Sequence, residues 1–407
     1  MDHLDMTGFL GVLVLILGAA KLLGALARQI GQPAVLGELV AGVLLGASVL
    51  GVVDSTNHVL HLLAELGVVL LLFEIGLETD LRKLLEVGGT AAAVALVGVA
   101  LPFALGYGVC RLLGLETLST VVASATLTAT SVGITARVLS DLGRLQEPES
   151  QIILGAAVLD DIVGLIILAV VAGLTTGQAI TLGGVATITA LAFGFLVATL
   201  LLGSLVVPIL ARLSHRVDLP GTPTILAVLL AFGLAWLAAK AGSAMIIGAF
   251  AAGLLLRATP QRRDIEHGVA QLGHFFVPLF FVMVGAAVDL RVFDPFTPAK
   301  QPTVLIGGLL IVVAGLGKFL AGYAPFWFRG KKSVIGVGMI PRGEVGLIFA
   351  QMGLTTGVFD AGLFSAVMLM VMVTTFVAPP LLQRLFPSPS GHKPQAAEGL
   401  EELVTEP

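Results

Sequence analysis

The chain has 407 residues, of which 57% are hydrophobic and only 12% are charged, and its net charge is −4. Ordinary soluble domains carry about twice this charged fraction, so the low charge, together with a mean hydropathy of +1.03, excludes an ordinary soluble domain. Cys110 is the only cysteine, which excludes an intramolecular disulfide and argues against a cysteine-ligated metal or cluster. Apolar runs of about 20 residues recur along the chain, so the sequence predicts an all-α polytopic membrane protein.

The first apolar run begins at Thr7, directly after the acidic segment MDHLD. An acidic segment is a poor n-region for a cleaved signal peptide, so we expect this run to be a retained span. Hydropathy and helix-breaking residues together predict thirteen transmembrane segments. They are 7–28, 33–51, 58–78, 88–112, 116–142, 149–174, 181–212, 221–241, 243–257, 264–289, 302–328, 332–356 and 358–385.

The positions of the basic residues indicate the orientation in the membrane. Of the 22 Lys and Arg residues, Lys21, Lys318 and Arg342 fall inside predicted segments. With the N-terminus outside, 15 of the others lie at cytoplasmic loops or segment ends and 4 lie outside. This asymmetry follows the positive-inside rule and predicts an N-terminus outside and a C-terminus inside. The short polar tail, 388–407, is predicted to be cytoplasmic and disordered.

Two short motifs recur in one register. GELVAG, at Gly37–Gly42, matches GAFAAG, at Gly248–Gly253, with an offset of 211. GLETDLR, at Gly76–Arg82, matches GAAVDLR, at Gly285–Arg291, with an offset of 209. The matches relate the second predicted segment to the ninth and the third to the tenth. Because this shift of seven segments is odd, the two halves must face opposite ways, as in the inverted-topology repeats of secondary transporters.

The same register pairs the fifth predicted segment with the twelfth, and both are poor continuous helices. SATLTATSVGIT, at Ser124–Thr135, collects hydroxyls at its centre, where Ser and Thr offer the backbone alternative hydrogen bonds. GVGMIPRGEVG, at Gly336–Gly346, has Pro341 and two charges at its centre, and proline removes a helical donor. Non-helical backbone at this depth survives only where it packs in protein or lines a wet cavity, so we predict two broken helices that cross.

Asp160 and Asp161 lie side by side near the middle of the sixth predicted segment. An acid at the bilayer centre costs about 2.5–3.5 kcal/mol, and two adjacent acids do not both stay ionised without a counter-charge. Lys318, near the middle of the eleventh segment, can supply that charge. Neighbours in a helix point about 100° apart, so one Asp can face Lys318 while the other faces a cavity. We expect a proton-sensitive pair with one acid left over.

Three further charges lie within predicted segments. Arg342 and Glu344 flank the break in the twelfth segment, and we expect them to compensate each other and the freed helix ends. Glu74 lies toward the cytoplasmic end of the third segment. Its carboxylate can serve as an extra ion ligand or can reach the interface together with Glu78, and the sequence leaves both interpretations open.

Six motifs taken together resemble those of a known family. They are LGELVAGVLLG, LFEIGLETDL, TATSVGITARVLSDLG, ILGAAVLDDIVGLIILAVV, GLGKFLAG and PRGEVGLIFAQMGL. The combination resembles the cation:proton antiporters of the NapA and Kef group, and in particular the NapA-type bacterial Na⁺/H⁺ antiporters. The resemblance extends from about Gly8 to Leu385.

The resemblance implies a homodimer of thirteen-span protomers, in which a core domain moves relative to a dimerisation domain in an elevator-like motion. Carried onto this chain, dimerisation-domain helices occupy 7–78 and 221–289, core-domain helices occupy 88–174 and 302–385, and 181–212 is a linker helix. The implied location is the inner membrane of a bacterium, as a multi-pass protein in the lipid bilayer.

The resemblance also implies the roles of individual residues. Asp161 is the main ion-binding carboxylate, which exchanges Na⁺ or Li⁺ for protons, and Asp160 pairs with Lys318 until a proton or cation breaks that pair. Thr130 and Ser131 line the site, with Asp161, Asp160 and Thr130 as the Na⁺ ligands. Members with the paired acids and the Lys typically exchange two protons per cation and are electrogenic. We expect no cofactor, no nucleic-acid partner and no enzymatic activity.

Other functions remain open at this point. Glu74 sits where many relatives have an apolar residue, and some electroneutral antiporters use an acid on this helix as a ligand, so an electroneutral or K⁺-preferring exchanger is the alternative. Kef-type members carry a C-terminal nucleotide-binding domain, for which the segment after Ser388 is too short, so ligand-gated K⁺ efflux is not expected. A Na⁺-coupled symporter of an organic anion can share the inverted-repeat fold. An intramembrane aspartyl protease is disfavoured, because its acids must face each other from different helices.

Overall fold

The computed structural model describes residues 6–176, 221–288, 290 and 301–387, together with scattered positions between 183 and 203. Within this part of the chain the secondary structure is helical and contains no strand, which confirms the predicted all-α class. The predicted linker helix, 181–212, lies mostly outside the described residues, and the tail, 388–407, lies wholly outside them.

The described residues form fifteen helices, which we number in chain order. They are α1 Met6–Gln29, α2 Ala34–Leu45, α3 His58–Glu78, α4 Leu81–Glu86, α5 Gly88–Leu112, α6 Thr117–Thr126, α7 Val132–Asp141, α8 Pro148–Thr176, α9 Thr222–Lys240, α10 Met245–Leu256, α11 Arg262–Ala286, α12 Gln301–Ala321, α13 Lys332–Gly338, α14 Glu344–Thr355 and α15 Ala361–Leu385.

Side-chain caps fix several of these helix starts. The Asn57 side-chain oxygen accepts hydrogen bonds from the backbone N–H groups of Val59 and Leu60, at 3.0 and 3.1 Å, at the start of α3. Asp80 caps α4 in the same way, and Asp360 caps α15. Each cap satisfies N–H groups that have no intrahelical partner, which is why these polar residues stand at helix starts.

Eight helices of the described chain are long and apolar enough to cross a membrane, so the protein is a polytopic membrane protein. They are α1, α3, α5, α8, α9, α11, α12 and α15. The helices α2 and α10 have only 12 residues each and span about 18 Å, less than the roughly 30 Å of a bilayer core. The helix α2 ends at Leu45, before the predicted boundary at 51, because the backbone becomes extended at Gly46.

The helices pack into two groups. The first helix group contains α1, α2, α3, α9, α10 and α11, and its most extensive packing is of α3 against α10 and α11. The second helix group contains α5, α6, α7, α8, α12, α13, α14 and α15, and its most extensive packing joins α12 to α15 and to α5. The groups meet mainly where α7 crosses α2 and α3.

The close helix contacts of the first group repeat themselves. A Cβ added to Gly42 of α2 would collide with the backbone of α11 at Val282 and Gly285. A Cβ added to Gly253 of α10 would collide with the backbone of α3 at Phe73 and Gly76. The glycines differ by 211 positions and their partners by 209, which are the offsets of the sequence motifs. The repeated motif therefore marks repeated backbone contacts, which require glycine because no side chain fits.

Candidate functional site

Two interrupted helices meet in the second helix group. The first interruption separates α6, which ends at Thr126, from α7, which begins at Val132. The second separates α13, which ends at Gly338, from α14, which begins at Glu344. The Ser131 N–H donates to the Pro341 carbonyl at 2.8 Å, and the Thr130 hydroxyl donates to the Met339 carbonyl at 3.3 Å. Both helices are therefore interrupted where the sequence predicts it, and the two breaks touch.

Side chains satisfy the carbonyls that the second break frees. The Thr135 hydroxyl donates to Gly338 O at 2.6 Å, and the Thr375 hydroxyl of α15 donates to Arg342 O at 2.5 Å. The Arg342 guanidinium donates to Met339 O at 3.3 Å and to Ala314 O of α12 at 3.4 Å. These residues are buried, and an unsatisfied buried carbonyl costs about 1–3 kcal/mol. The donors therefore hold the broken backbone in place.

A buried ion pair lies beside the breaks. Lys318 Nζ of α12 is 2.8 Å from Asp160 Oδ2 of α8, and neither side chain is exposed. The other carboxylate oxygen, Asp160 Oδ1, is also buried and has no hydrogen-bond donor among the described residues. The helix α5 leaves room for the amine at Gly98, where an added Cβ would lie 3.4 Å from Lys318 Nζ. The predicted pairing of a membrane acid with Lys318 is thus present, and Asp160 is the acid that makes it.

Asp161 occupies the adjacent position and is only 6% exposed. Its charge acts electrostatically on Lys318, so both acids lie in one electrostatic environment. One turn further along α8, Gly164 packs against Val345 in the first turn of α14, where an added Cβ would be 3.8 Å from Val345 Cγ1. The segment of α8 that carries the two acids therefore runs beside the second break.

The sequence predicts only part of the surroundings of Arg342. It is fully buried and acts electrostatically on both Asp160 and Lys318, in addition to donating to backbone carbonyls. The sequence predicts that Arg342 and Glu344 compensate each other, and the side chain of Glu344 is not among those that the structure describes. Its guanidinium is a second buried positive charge near the acids. The expectation of one base, Lys318, for two acids therefore left out one base. The register that pairs the two breaks was the signal for this proximity.

Glu74 lies elsewhere. Its Oε2 packs against Gly273 of α11, where an added Cβ would be 3.3 Å away, within the first helix group. The charges that act on it are Arg137, Asp141 and Glu266. These surroundings do not include Asp160 or Asp161, and both sequence interpretations of Glu74, an extra ion ligand or a side chain that reaches the interface with Glu78, stay predictions.

The comparisons with known proteins agree with this geometry. Residues 12–386 match the family model described as "Sodium/hydrogen exchanger, transmembrane". The chain belongs to the sodium/hydrogen exchanger family. This match confirms the family resemblance that the sequence motifs indicate, and the chain is accordingly a transport protein and not an enzyme.

Two curated bacterial relatives cover nearly the whole chain. The chain is 42% identical to the high-affinity Na⁺/H⁺ antiporter NhaS3 of Synechocystis, over 94% of this chain and 91% of that protein. It is 36% identical to the Na⁺/H⁺-K⁺ antiporter GerN of Bacillus cereus, over 92% and 95% of the two chains. Among solved structures, the sodium proton antiporter MjNhaP1 of Methanocaldococcus jannaschii superposes with a TM-score of 0.66 at 18% identity, over 95% and 99% of the two chains, which shows a shared fold.

Proposed function

We propose that the protein exchanges Na⁺ or Li⁺ for protons across the inner membrane of a bacterium. The observation that carries the proposal is the fully buried Lys318–Asp160 pair, next to buried Asp161, at the crossing of two interrupted helices. Buried ionisable groups in a membrane domain are costly and mark ion and proton pathways. Two relatives named as Na⁺/H⁺ antiporters, at 42% and 31% identity, support Na⁺ as the cation.

In the proposed site, hard oxygen ligands hold the cation. Asp161 supplies the main carboxylate, and the buried Asp160 Oδ1 supplies a second acceptor. Thr130 and Ser131 line the first break, where hydroxyl and carbonyl oxygens can complete the shell. Carboxylate, hydroxyl and carbonyl oxygens suit an alkali cation and need no transition metal.

Proton coupling follows from competition for the same groups. Protonation of Asp161 removes the negative charge that the cation needs, so one carboxylate carries either a cation or a proton. A cation bound at Asp160 displaces the Lys318 amine from its partner, and the unpaired buried amine releases a proton. Two protons then leave for each cation that binds, which makes the exchange electrogenic. No separate coupling element is required.

The finer architecture is also part of the proposal. The matching offsets of the glycine contacts and the contact between the two breaks support inverted repeats. Hydropathy and the distribution of Lys and Arg along the sequence support thirteen transmembrane segments with the N-terminus outside. The first helix group supplies the dimerisation domain of a homodimer, and the second supplies the core domain. The core, which carries Asp160 and Asp161, moves as an elevator past the dimerisation domain and opens the site to each side in turn.

The second candidate is an electroneutral or K⁺-preferring exchange of cation for protons. It is favoured by the name of GerN, which includes K⁺, and by a glutathione-regulated potassium-efflux protein, KefC of Enterobacter, that is 31% identical over 74% of this chain and 48% of that protein. A symporter of Na⁺ and an organic anion is less favoured, because the relatives named above are antiporters.

The test uses purified protein in proteoliposomes that contain a pH-sensitive dye. Na⁺, Li⁺ or K⁺ is added outside without any organic anion, with the membrane potential clamped or free. Wild type, Asp161→Asn and Lys318→Gln are compared with Glu86→Gln, a matched control at an exposed carboxylate of α4. We expect Na⁺-driven proton flux in wild type and the control, loss in Asp161→Asn, and dependence on the potential. Full flux in Asp161→Asn would overturn the site, and K⁺-driven flux or flux indifferent to the potential would favour the second candidate.

A further inference from the structure

A second group of charges lies where the two helix groups meet, and the exchange site does not use it. We call it the inter-group cluster. It consists of Arg137 and Asp141 of α7, Glu38 of α2, and Glu74 and Glu78 of α3. The helix α7 belongs to the second helix group and presents Arg137 to acids of the first, because α7 packs against both α2 and α3. Arg137 interacts electrostatically with all four acids.

The contacts of the cluster are loose although several of its polar atoms are buried. Arg137 Nε is 3.4 Å from Asp141 Oδ1, and these side chains are 19% and 18% exposed. Arg137 Nε, Asp141 Oδ2 and Glu38 Oε2 are buried atoms without a hydrogen-bond partner among the described residues. Glu38 is only 5% exposed. A buried charge is stable only when it is paired and hydrogen-bonded. These charges attract each other but are not fixed in one geometry by hydrogen bonds.

The surrounding charges make Arg137 the link between the groups. Lys21 and Arg28 of α1 act on Glu38, and Glu266 of α11 acts on Glu74 and Glu78. All of these belong to the first helix group. Within the described chain, Arg137 is the cation of the second helix group that acts on these acids. Displacement of the second group therefore removes the positive charge that this group places beside the acids, whereas Lys21, Arg28 and Arg262 stay with the first group.

A polar bridge joins the two helix groups at the end of α3 that carries Glu78. The Glu78 carbonyl, at the end of α3, accepts hydrogen bonds from the side chains of Arg257 and Gln146. Arg257 follows α10 and also lies 3.6 Å from Asp80, so it belongs to the first helix group. Gln146 lies in the loop between α7 and α8 of the second group. One carbonyl thus joins the two groups, close to the inter-group cluster.

The opposite end of the same interface has a different character. There, Val284 of α11 and Val288, just beyond the end of that helix, line an apolar crevice with Met368, Val371 and Phe376 of α15. Since Glu266, near the start of α11, acts on Glu78, the crevice and the polar bridge lie at opposite ends of α11. Apolar surfaces can slide past each other, whereas charges and hydrogen bonds hold a defined position.

We propose that the inter-group cluster and the Glu78–Gln146 bridge form a latch, which closes this end in the present conformation and opens once in each exchange cycle. The proposal rests on the proposed function, because it assumes that the second helix group moves past the first. Arg137 acts here as a positioning residue. The helix α7 begins directly after Thr130 and Ser131 at the exchange site and ends at Asp141, so a movement of the site along the interface displaces Arg137 as well.

The first test cross-links the latch. Because Cys110 is the only native cysteine, Cys110→Ala gives a thiol-free background. Gln146→Cys with Arg257→Cys then joins the two groups through a short bifunctional thiosulfonate, and reduction reverses the link. The matched control joins Ser48→Cys to Val288→Cys, which contact each other within the first group.

We expect the cross-linked latch pair to lose Na⁺-driven proton flux by at least about tenfold and to regain it on reduction, while the cross-linked control keeps its flux. Full flux with the latch cross-linked would overturn the latch, and so would failure of the pair to cross-link. Absence of flux in wild type and in both pairs before cross-linking would instead contradict the proposed function. The two failures are therefore distinguishable.

The second test needs no transport. The rate at which a membrane-impermeant thiol reagent modifies Gln146→Cys, in the Cys110→Ala background, reports how often the latch opens. We expect Arg137→Gln to raise this rate by about tenfold, Arg137→Lys to leave it near the parent value, and the swap of Arg137→Glu with Glu38→Arg to restore it. Equal rates in all variants would contradict a role for Arg137 in closing this end.

Discussion

Lys318 Nζ lies 2.8 Å from Asp160 Oδ2, in a position where neither side chain is exposed to solvent. The pair joins α8 to α12 across α5, and it lies beside the crossing of two interrupted helices. Full burial makes each charge dependent on the other, because neither can be hydrated when its partner is removed. The same dependence makes the pair sensitive to any proton or cation that competes for it.

Breaking this pair on one side is predicted to destabilise the protein strongly. Asp160→Asn or Lys318→Gln leaves one buried charge without its ion-pair partner, which costs about 3–5 kcal/mol, whereas the double variant removes both charges and recovers most of the loss. The thermal midpoint of the purified protein in detergent measures the effect. The control is Arg262→Gln, which removes a partly exposed ion pair with Glu266 that is worth at most about 1 kcal/mol. A double variant as unstable as the sum of the single variants would contradict this interdependence.

Gly98→Ala is predicted to disturb the Lys318 amine from the opposite side. The added Cβ would lie 3.4 Å from Nζ and 3.6 Å from both Lys318 Cδ and Ala321 Cβ, so it would fill the space beside the amine at van der Waals contact. Because the added methyl limits the positions open to the amine, we expect a several-fold change in the apparent Na⁺ affinity of exchange. Gly108→Ala on the same helix is the control, because nothing lies within 4 Å of its Cβ position. Equal affinities for the two variants would show that the space at Gly98 does not position the amine.

Thr375→Val is predicted to weaken the second helix break. The substitution keeps the shape of the side chain but removes the donor to Arg342 O, and an unsatisfied buried carbonyl costs about 1–3 kcal/mol. The melting temperature and the rate of Na⁺-driven proton flux should both fall. Thr355→Val, at an exposed position of α14, loses a comparable hydroxyl and should change stability by less than about 0.5 kcal/mol. If both variants behave alike, the hydroxyl of Thr375 does not support the break.

Much of the helical framework is predictable from local sequence. The segments 58–78 and 88–112 coincide with α3 and α5, because apolar runs of this length have one stable form in a membrane. Both interruptions are predictable as well, since clustered hydroxyls and Pro341 weaken a continuous helix at those positions. Hydropathy does not predict the helix α4, because it has six residues and lies outside the apolar runs.

Long-range partners were harder to predict than helices. Hydropathy places Thr375 in the last segment, but nothing in its neighbourhood indicates that it donates to a carbonyl 33 residues earlier. The sequence predicts that Arg342 compensates the nearby acid Glu344, whereas its guanidinium donates to the Met339 carbonyl in the second break and to the Ala314 carbonyl of α12. Glu74 and Arg137 are separated by 63 positions and lie in different helix groups, so only the packing of α3 against α7 reveals their proximity.

The central claim is that cation and proton compete for one site at Asp160 and Asp161. The most direct measurement is the apparent Michaelis constant for Na⁺ of wild-type proteoliposomes as a function of pH, with the membrane potential clamped. Competition predicts that the apparent Michaelis constant for Na⁺ rises as pH falls, by about tenfold per pH unit for each competing proton. It also predicts that saturating Na⁺ restores the same maximal rate at every pH. A Michaelis constant that stays fixed while the maximal rate falls with pH would show that protons act outside the cation site, and would contradict the account.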